Sequence, residues 1–192
     1  MEAKKMLGVL VLLLLSITAT ITGCDRASSN KIDKAQDLST VGKKRHEKAT
    51  LGYYDSTGKL NNVSVEQVRQ YFIEEGVIDQ AHQVAEFYVV DSLDAANKIV
   101  MSALIMRTSA GQEFATIRTS VYQYEPGVYA FSTSNMDNST CSCKSTNCST
   151  WGCNVSEFGP CSCSDCGRAE GKCEKTSSRK DLSAVESSFQ SL

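Results

Sequence analysis

The feature that most constrains this chain is a run of cysteines near its C-terminus. Residues 141–173 hold eight of the nine cysteines of the 192-residue sequence and only three other large apolar side chains. A segment with so few apolar groups cannot hold a fold by burial alone, so it needs cross-links between its thiols or a bound metal. The eight cysteines are Cys141, Cys143, Cys148, Cys153, Cys161, Cys163, Cys166 and Cys173.

The spacing of these cysteines divides the segment into two halves. The first half reads C-x-C-x4-C-x4-C and the second reads C-x-C-x2-C-x6-C, with Phe158-Gly159-Pro160 in the gap between them. Each half begins with Cys-Ser-Cys, which resembles a degenerate duplication. We expect each half to close through two disulfides or through one tetrathiolate metal site. A bond between cysteines two residues apart has poor geometry, so the two members of each Cys-Ser-Cys should bond to different partners.

The N-terminus has the pattern of a targeting segment. Residues 1–5 carry two lysines, residues 6–15 are apolar, and small residues follow. This pattern is typical of a secretory signal peptide and is too short for a permanent membrane span. The motif Ile21-Thr22-Gly23-Cys24 resembles the lipobox of bacterial lipoproteins. The resemblance implies removal of residues 1–23 and attachment of lipid to Cys24, with further acylation of the new N-terminus by a fatty acid such as palmitate.

The odd number of cysteines agrees with the lipoprotein interpretation. If Cys24 is consumed by lipid, an even set of eight remains. The resemblance implies that the lipid bilayer of the cell membrane or outer membrane holds the protein, facing the periplasm or the exterior. Thiols in such an oxidising location are predicted to form disulfides. The net charge of −2 gives no electrostatic footprint for nucleic acid, so we expect none as a partner.

Composition divides the rest of the chain into four parts. The polar residues 24–50 are predicted to be the lipidated N-terminus and a tether, and residues 51–134 a small α+β domain. Residues 135–175 form a Ser/Thr- and Cys-rich module with little secondary structure. In the tail, residues 176–192, apolar residues recur at helical spacing and predict a short C-terminal helix.

The α+β domain is predicted from local signals. Ser64 and Gln67 have capping-box spacing, and Gly76 is a suitable residue to end the helix that they begin. A second helix is predicted from Asp91 to about Lys98, although an extended strand is the alternative for part of this stretch. The expected sheet is small and antiparallel, with three or four strands among residues 84–90, 99–107, 113–124 and 128–132 and one or two helices on one face.

Catalytic patterns are weak in this sequence. It contains no glycine-rich phosphate loop, nucleophile elbow or metal-spaced histidine pair. His82 lies near Asp79 and Glu86, and we expect it to be a solvated loop residue. We therefore predict a non-enzymatic lipoprotein of the cell envelope that has a structural or binding role, a disulfide-stapled module and no cofactor.

Two other functions remain open for the cysteines. Repeated Cys-x-Cys with no histidine resembles metallothionein, which implies thiolate binding of Zn²⁺ or Cu(I) by the same eight residues. Cys163-Ser-Asp-Cys166 has the C-x-x-C form of thiol–disulfide oxidoreductases. No βαβ pattern precedes this motif, which argues against the oxidoreductase interpretation.

Overall fold

The fold is dominated by β-strands. The computed structural model describes residues 42–55, 57–131, 139–149 and 152–179 and residue Phe189. Within these ranges the strands form one nine-stranded sheet, and one helix, α1 (Val65–Glu74), is described over its whole length. The strands are β1 (Gly42–His46), β2 (Thr50–Tyr54), β3 (Leu60–Val63), β4 (Gln83–Leu93), β5 (Ile99–Ala110), β6 (Glu113–Glu125), β7 (Val128–Phe131), β8 (Ser139–Thr146) and β9 (Lys172–Arg179).

The sheet branches at its longest strand, β6. Its main order is β1-β4-β5-β6-β7-β2-β3, and β8 and β9 join it beside β6. Residues 113–119 of β6 pair with β8, whereas residues 121–125 pair with β7. The sheet is mixed, because β2 pairs parallel to β7 while the other strand pairs are antiparallel. The branch places the cysteine-bearing strands next to the centre of the sheet.

Helix α1 forms where the sequence predicts a helix. The Ser64 side chain accepts a hydrogen bond from the backbone N–H of Gln67, and the Gln67 side chain accepts one from the backbone N–H of Ser64. This reciprocal pair satisfies two N–H groups that the first turn leaves without helical partners. Val68 and Phe72, one turn apart, are both 0 % exposed. Because residues at this spacing share one side of a helix, α1 presents an apolar side to the sheet.

One face of the sheet, called here the helix-covered face, carries an ordinary hydrophobic core. Phe189 reaches this core from the tail, and its ring lies 5.1 Å from the ring of Phe131 and 5.2 Å from that of Tyr71. The buried members of the core are Leu51, Val63, Val68, Tyr71, Phe72, Ile78, Val89, Leu104, Met106, Ala115, Ile117, Val121, Tyr129, Phe131 and Phe189.

The opposite face, called here the cystine-covered face, has a second core. It combines a few apolar side chains of the central strands with half-cystines of the C-terminal segment. Its buried members are Tyr88, Val90, Ala103, Ile105, Cys141, Cys143, Cys148, Cys153 and Val155. Successive residues of a strand point to opposite faces, so β4 and β5 supply side chains to both cores.

The predicted α+β class is wrong. The described chain is mostly β, and its sheet is larger than the three or four strands expected. The helix expected over 91–98 is instead the end of β4 and a turn. Asp94 organises that turn, because its Oδ1 accepts hydrogen bonds from the backbone N–H groups of Ala96 and Lys98. Asn97 has a φ of 58°, which is incompatible with a continuing right-handed helix.

The segments outside the expected domain also contribute strands. β1 lies in the stretch expected to be tether, and β8 lies in the module expected to have little secondary structure. The tail begins in β9 rather than in a helix. The remainder of the predicted C-terminal helix lies outside the described residues, apart from Phe189, which is buried.

The predictions for the N-terminus concern residues outside the described ranges. These are the signal peptide over residues 1–23, the lipid site at Cys24 and most of the tether. Among the residues that the structure describes, no helix combines the length and the hydropathy required to cross a bilayer.

Candidate functional site

The candidate site is the cysteine-rich segment that lies on the cystine-covered face. Cys141 and Cys143 belong to β8, and Cys173 belongs to β9. The other five cysteines lie in the connection between these strands, residues 147–171, which we call the cystine loop. Two residues apart on β8, Cys141 and Cys143 point to the same face. They therefore serve as attachment points for the cystine loop above the sheet.

The eight cysteines form four disulfides, which confirms the disulfide-stapled module. The Cα atoms of the bonded residues are 5.0 to 5.7 Å apart, within the range that a disulfide spans. The bonds are Cys141–Cys161, Cys143–Cys163, Cys148–Cys166 and Cys153–Cys173.

Each bond joins the first half of the segment to the second. The expectation that each half closes on itself is therefore wrong. The sequence separation is 20 for three bonds and 18 for Cys148–Cys166, so the cysteines pair in order along the chain. The two Cys-Ser-Cys motifs lie side by side, and their members bond to different partners, as the geometry of Cys-x-Cys requires.

Half-cystines take the place of apolar side chains in this core. Cys143 and Cys153 are 0 % exposed and Cys141 is 1 % exposed. They pack with Val90, Ala103 and other apolar residues of the sheet, and the partly buried Phe158 packs against this core. Sulfur is soft and polarizable, so it fills such space much as a small apolar group does.

Polar contacts also fasten the cystine loop to the sheet. Arg118 of β6 is buried, and its Nη1 donates a hydrogen bond of 2.8 Å to the carbonyl oxygen of Ser156. Burial lowers the pKa of this guanidinium from its usual value. At the margin of the sheet, Lys43 of β1 forms a 2.7 Å ion pair with Glu157 of the loop. The sequence analysis missed both contacts, because each joins residues distant in sequence.

Four of the sulfurs form a compact cluster within the site. The Sγ atoms of Cys148, Cys153, Cys166 and Cys173 all lie within 4.8 Å of one another. Between the two disulfides, Sγ of Cys148 and Sγ of Cys153 are 3.4 Å apart. Gly171 lies directly against this cluster, and a Cβ there would overlap Sγ of Cys166. We refer to these four residues as the sulfur cluster.

The C-x-x-C motif does not form a disulfide of its own. Cys163 is bonded to Cys143 of β8, and Cys166 is bonded to Cys148. In thiol–disulfide oxidoreductases of the C-x-x-C type, the two cysteines of the motif bond to each other. The pairing here therefore favours a structural role for both residues.

A buried polar network lies on the helix-covered face. Asp91 is 0 % exposed, and its carboxylate accepts hydrogen bonds from Ser102 Oγ at 2.6 Å and from the Tyr129 hydroxyl at 2.8 Å. His46 Nε2 donates a third, also 2.8 Å long. Burial and the hydrogen bond to Asp91 raise the pKa of Tyr129 well above its usual value. The signal for this network is a lone carboxylate in an apolar strand, Phe87-Tyr-Val-Val-Asp91, which the sequence analysis did not use.

An open pocket of about 430 Å³ lies beside this network. Its lining includes His46, the neighbouring Arg45 and Lys48, and Gly127. Arg45 is already engaged, because it stacks 3.6 Å from the ring centroid of Tyr88 and pairs with Glu86. The pocket therefore has a mixed polar lining in which the Arg45 guanidinium already contacts side chains of the sheet.

His82 is buried rather than solvated, contrary to the sequence-based expectation. It is 0 % exposed, and its Nδ1 lies 2.8 Å from Oδ1 of Asp79. Its carbonyl oxygen accepts a 2.6 Å hydrogen bond from Nε of Arg69 on α1. The hydrogen bond with His82 lowers the pKa of Asp79. This histidine fixes the connection between α1 and β4.

Comparison with known proteins adds no family assignment to this geometry. No protein-family model, no curated protein and no solved structure matches the chain.

Proposed function

We propose that this protein is a lipid-anchored, extracytoplasmic binding protein of the cell envelope. The observation that carries the proposal is the pairing of all eight cysteines of the C-terminal segment in four disulfides. Disulfides persist in oxidising compartments and are rare where thiol reductants are abundant. A layer built from them suits a protein that works outside the cytoplasm.

The anchor in this proposal is the lipid on Cys24. It is supported by the lipobox-like motif and by the cysteine count, because Cys24 is the one cysteine outside the disulfide-bonded set. Two or three acyl chains give stable membrane attachment, whereas a single chain gives only marginal binding. The basic residues near β1 are a minor part of this attachment, since Lys43 and Arg45 already pair with Glu157 and Glu86.

A binding role is favoured over catalysis by the arrangement of the cysteines. The C-x-x-C residues are tied to separate partners, and both Cys143 and Cys148 at the other ends of those bonds are buried. Disulfides that join separate parts of a fold through a buried sulfur serve as staples under oxidising conditions. Such staples stiffen a surface, and a rigid surface loses less entropy when it binds a partner.

The anchor is tested by replacing Cys24 with serine. In a bacterial host, the parent chain should incorporate radiolabelled palmitate and sediment with membranes. Cys24→Ser should lose the label and remain unprocessed. Cys141→Ser is the matched control, because it removes a cysteine of the module and should keep the label. A Cys24→Ser chain that still carries palmitate would refute the lipid anchor.

The compartment is tested separately by intact mass. The mature protein taken directly from the envelope fraction should gain about 8 Da on reduction, two hydrogens for each of four bonds. Chain retained in the cytoplasm should show no gain. A mature envelope protein whose mass is unchanged by reduction would overturn the disulfide-based argument for export.

A further inference from the structure

The geometry points to a second state of the sulfur cluster: when its two disulfides are reduced, Cys148, Cys153, Cys166 and Cys173 form a tetrathiolate site for one zinc ion. The inference goes beyond the proposed function and does not depend on the lipid anchor. It also differs from the two-site arrangement that the spacing indicates, because the four ligands come from both halves of the segment.

The inference rests on the distances between the four Sγ atoms of the sulfur cluster. In a tetrahedral zinc tetrathiolate the Zn–S bonds are about 2.3 Å, which places neighbouring sulfurs about 3.8 Å apart. The four Sγ atoms already lie within 4.8 Å of one another, and Cys148 and Cys153, which are not bonded, are 3.4 Å apart. Reduction lets the bonded sulfurs separate, and each other pair needs to move apart or together by about 1 Å at most to reach this spacing. Changes of side-chain rotamer suffice for such shifts.

The surrounding framework keeps these ligands in place after reduction of the cluster. Cys173 lies on β9, whose backbone pairs with β8 across eight residues. Cys153 and Cys166 flank a part of the cystine loop that Cys141–Cys161 and Cys143–Cys163 still tie to β8. With the ligands held by other bonds, zinc meets a partly formed site and not a disordered chain.

A second observation is the close approach of the Gly171 backbone to the sulfur cluster. A Cβ on this residue would overlap Sγ of Cys166 and would lie 3.0 Å from Sγ of Cys148. Two sulfurs of the cluster therefore need a residue without a side chain next to them. The close backbone approach leaves Cys148 and Cys153 buried, and a dry environment strengthens metal–thiolate bonds relative to water.

Zinc is the metal that this donor set fits. Four sulfur donors in tetrahedral arrangement are typical of zinc, and zinc has no redox chemistry that would reoxidise its ligands. The other four cysteines do not offer such a set. In the described part of the chain, the sulfur cluster is the one group of three or more cysteine, histidine and carboxylate ligands that comes this close together.

The change of state balances with a dithiol as reductant. Each disulfide of the cluster accepts two electrons and two protons, and one dithiol is oxidised to a disulfide for each bond that is broken. The four resulting thiols lose four protons when one Zn²⁺ binds, which gives a site of net charge −2. Reoxidation of the cysteines releases the ion. The site would hold zinc only while a dithiol keeps the cluster reduced.

The first experiment uses the full chain without substitutions. The purified protein is treated with a limiting amount of a phosphine reductant, supplied with Zn²⁺ and then alkylated, and the modified cysteines are mapped by peptide mass. We expect about one zinc per chain and four protons released per ion. Zinc should protect Cys148, Cys153, Cys166 and Cys173 from alkylation. Equal protection of all eight cysteines, or zinc binding without protection of these four, would overturn the inference.

The second experiment compares two double variants after the same limited reduction. Cys148→Ser/Cys166→Ser removes two ligands, whereas the matched control Cys141→Ser/Cys161→Ser removes one disulfide and leaves the cluster intact. Co²⁺ is the spectroscopic probe, because its visible absorption identifies tetrahedral thiolate coordination. The control should keep the tetrathiolate spectrum, and the ligand variant should lose it. Identical spectra from the two variants would contradict the proposed ligands.

Folding is followed in the same samples by circular dichroism. Reduction without metal is expected to leave most of the sheet signal, since the helix-covered core contains no cysteine. If the reduced parent loses its sheet signal and Zn²⁺ neither restores it nor binds at about one ion per chain, the inference is refuted. The lipid anchor would be unaffected by that outcome, so the two proposals fail independently.

Discussion

The two faces of the sheet reach the same burial by different chemistry. On the helix-covered face, Phe72 and Met106 are 0 % exposed and make the interior from hydrocarbon. On the cystine-covered face, Cys143 and Cys153 are equally buried, but each is covalently bonded to a cysteine nearer the surface. The first face is stabilised by removal of apolar area from water. The second is stabilised largely by restriction of the unfolded chain.

This difference makes only one of the faces sensitive to redox conditions. Hydrophobic burial does not depend on the redox poise, whereas the cystine loop carries too few apolar side chains to stay closed without its bonds. We therefore expect the sheet and α1 to fold in either condition, and the cystine loop to close only when its thiols are bonded or hold a metal.

The largest expected effect comes from breaking the helix-covered face. Phe72→Ala removes a fully buried ring between α1 and the sheet, and it should lower the free energy of unfolding by about 3–5 kcal/mol. Chemical denaturation should show the same loss with and without a reductant. Val65→Ala on the same helix is the control; Val65 is 39 % exposed, and the change should cost less than about 0.5 kcal/mol. Similar losses from both variants would mean that α1 is not docked on this face.

The next effect comes from the cystine-covered face. Cys143→Ala/Cys163→Ala removes a bond between residues 20 apart in sequence, which should cost about 3 kcal/mol under oxidising conditions. With a reductant present, the parent loses the same bond, so the difference between parent and variant should fall to about 1 kcal/mol or less. An undiminished difference under reduction would show that sulfur packing, and not the cross-link, stabilises this face.

Local signals in the sequence predicted much of the helix-covered face. The capping box at Ser64 and Gln67 places α1 correctly, and the β-branched residues of 84–90 and 113–124 lie in β4 and β6. These signals are local, because caps and alternation act over a few residues. The prediction of a helix over 91–98 was wrong. Asp91 can cap a helix, but in the fold its carboxylate instead accepts hydrogen bonds from Ser102 of β5 and Tyr129 of β7.

For the cystine-covered face, the sequence predicted the presence of cross-links but not which cysteines they join. Composition requires cross-links in residues 141–173, and four disulfides are present. The connectivity depends on which segments lie side by side in the sheet, and cysteine spacing does not determine that. Strands β8 and β9 were missed for a related reason. Apart from their cysteines, these two strands consist of Ser, Thr, Lys, Glu and Arg, so they lack the usual alternation of apolar and polar residues.

A smaller effect is expected from the buried polar network around Asp91 on the helix-covered face. Asp91→Ala leaves the hydroxyls of Ser102 and Tyr129 without their buried acceptor, and it should cost about 2 kcal/mol. Tyr129→Phe removes one of these hydrogen bonds and keeps the ring, so it should cost about 1 kcal/mol. Denaturation of both variants, with and without reductant, measures these losses. If Asp91→Ala is neutral, the network does not contribute to the stability of this face.

The smallest effect concerns the ion pairs that border the cystine-covered face. Arg45 of β1 stacks on the ring of Tyr88 and pairs with Glu86, which also accepts a 2.6 Å hydrogen bond from Nη1 of Arg107. The hydrogen bond from Arg45 is the main cause that lowers the pKa of Glu86 below its ordinary value of 4.5. Because these groups are partly exposed, water screens them, and Glu86→Gln should cost only about 1 kcal/mol at neutral pH.

The sign of the pH dependence distinguishes this ion pair from simple packing. A carboxyl whose pKa is lowered by folding contributes its stability above the ordinary pKa and loses it as the pH falls through the lower, folded value. The difference in free energy of unfolding between parent and Glu86→Gln should therefore be constant from pH 7 to about pH 5 and shrink at lower pH. Glu47→Gln is the control, since Glu47 is largely exposed and lies 3.5 Å from Nε of Arg45. A difference for Glu86→Gln that persists in acid would assign its effect to side-chain contacts, and the border of the cystine-covered face would then depend on packing and not on charge.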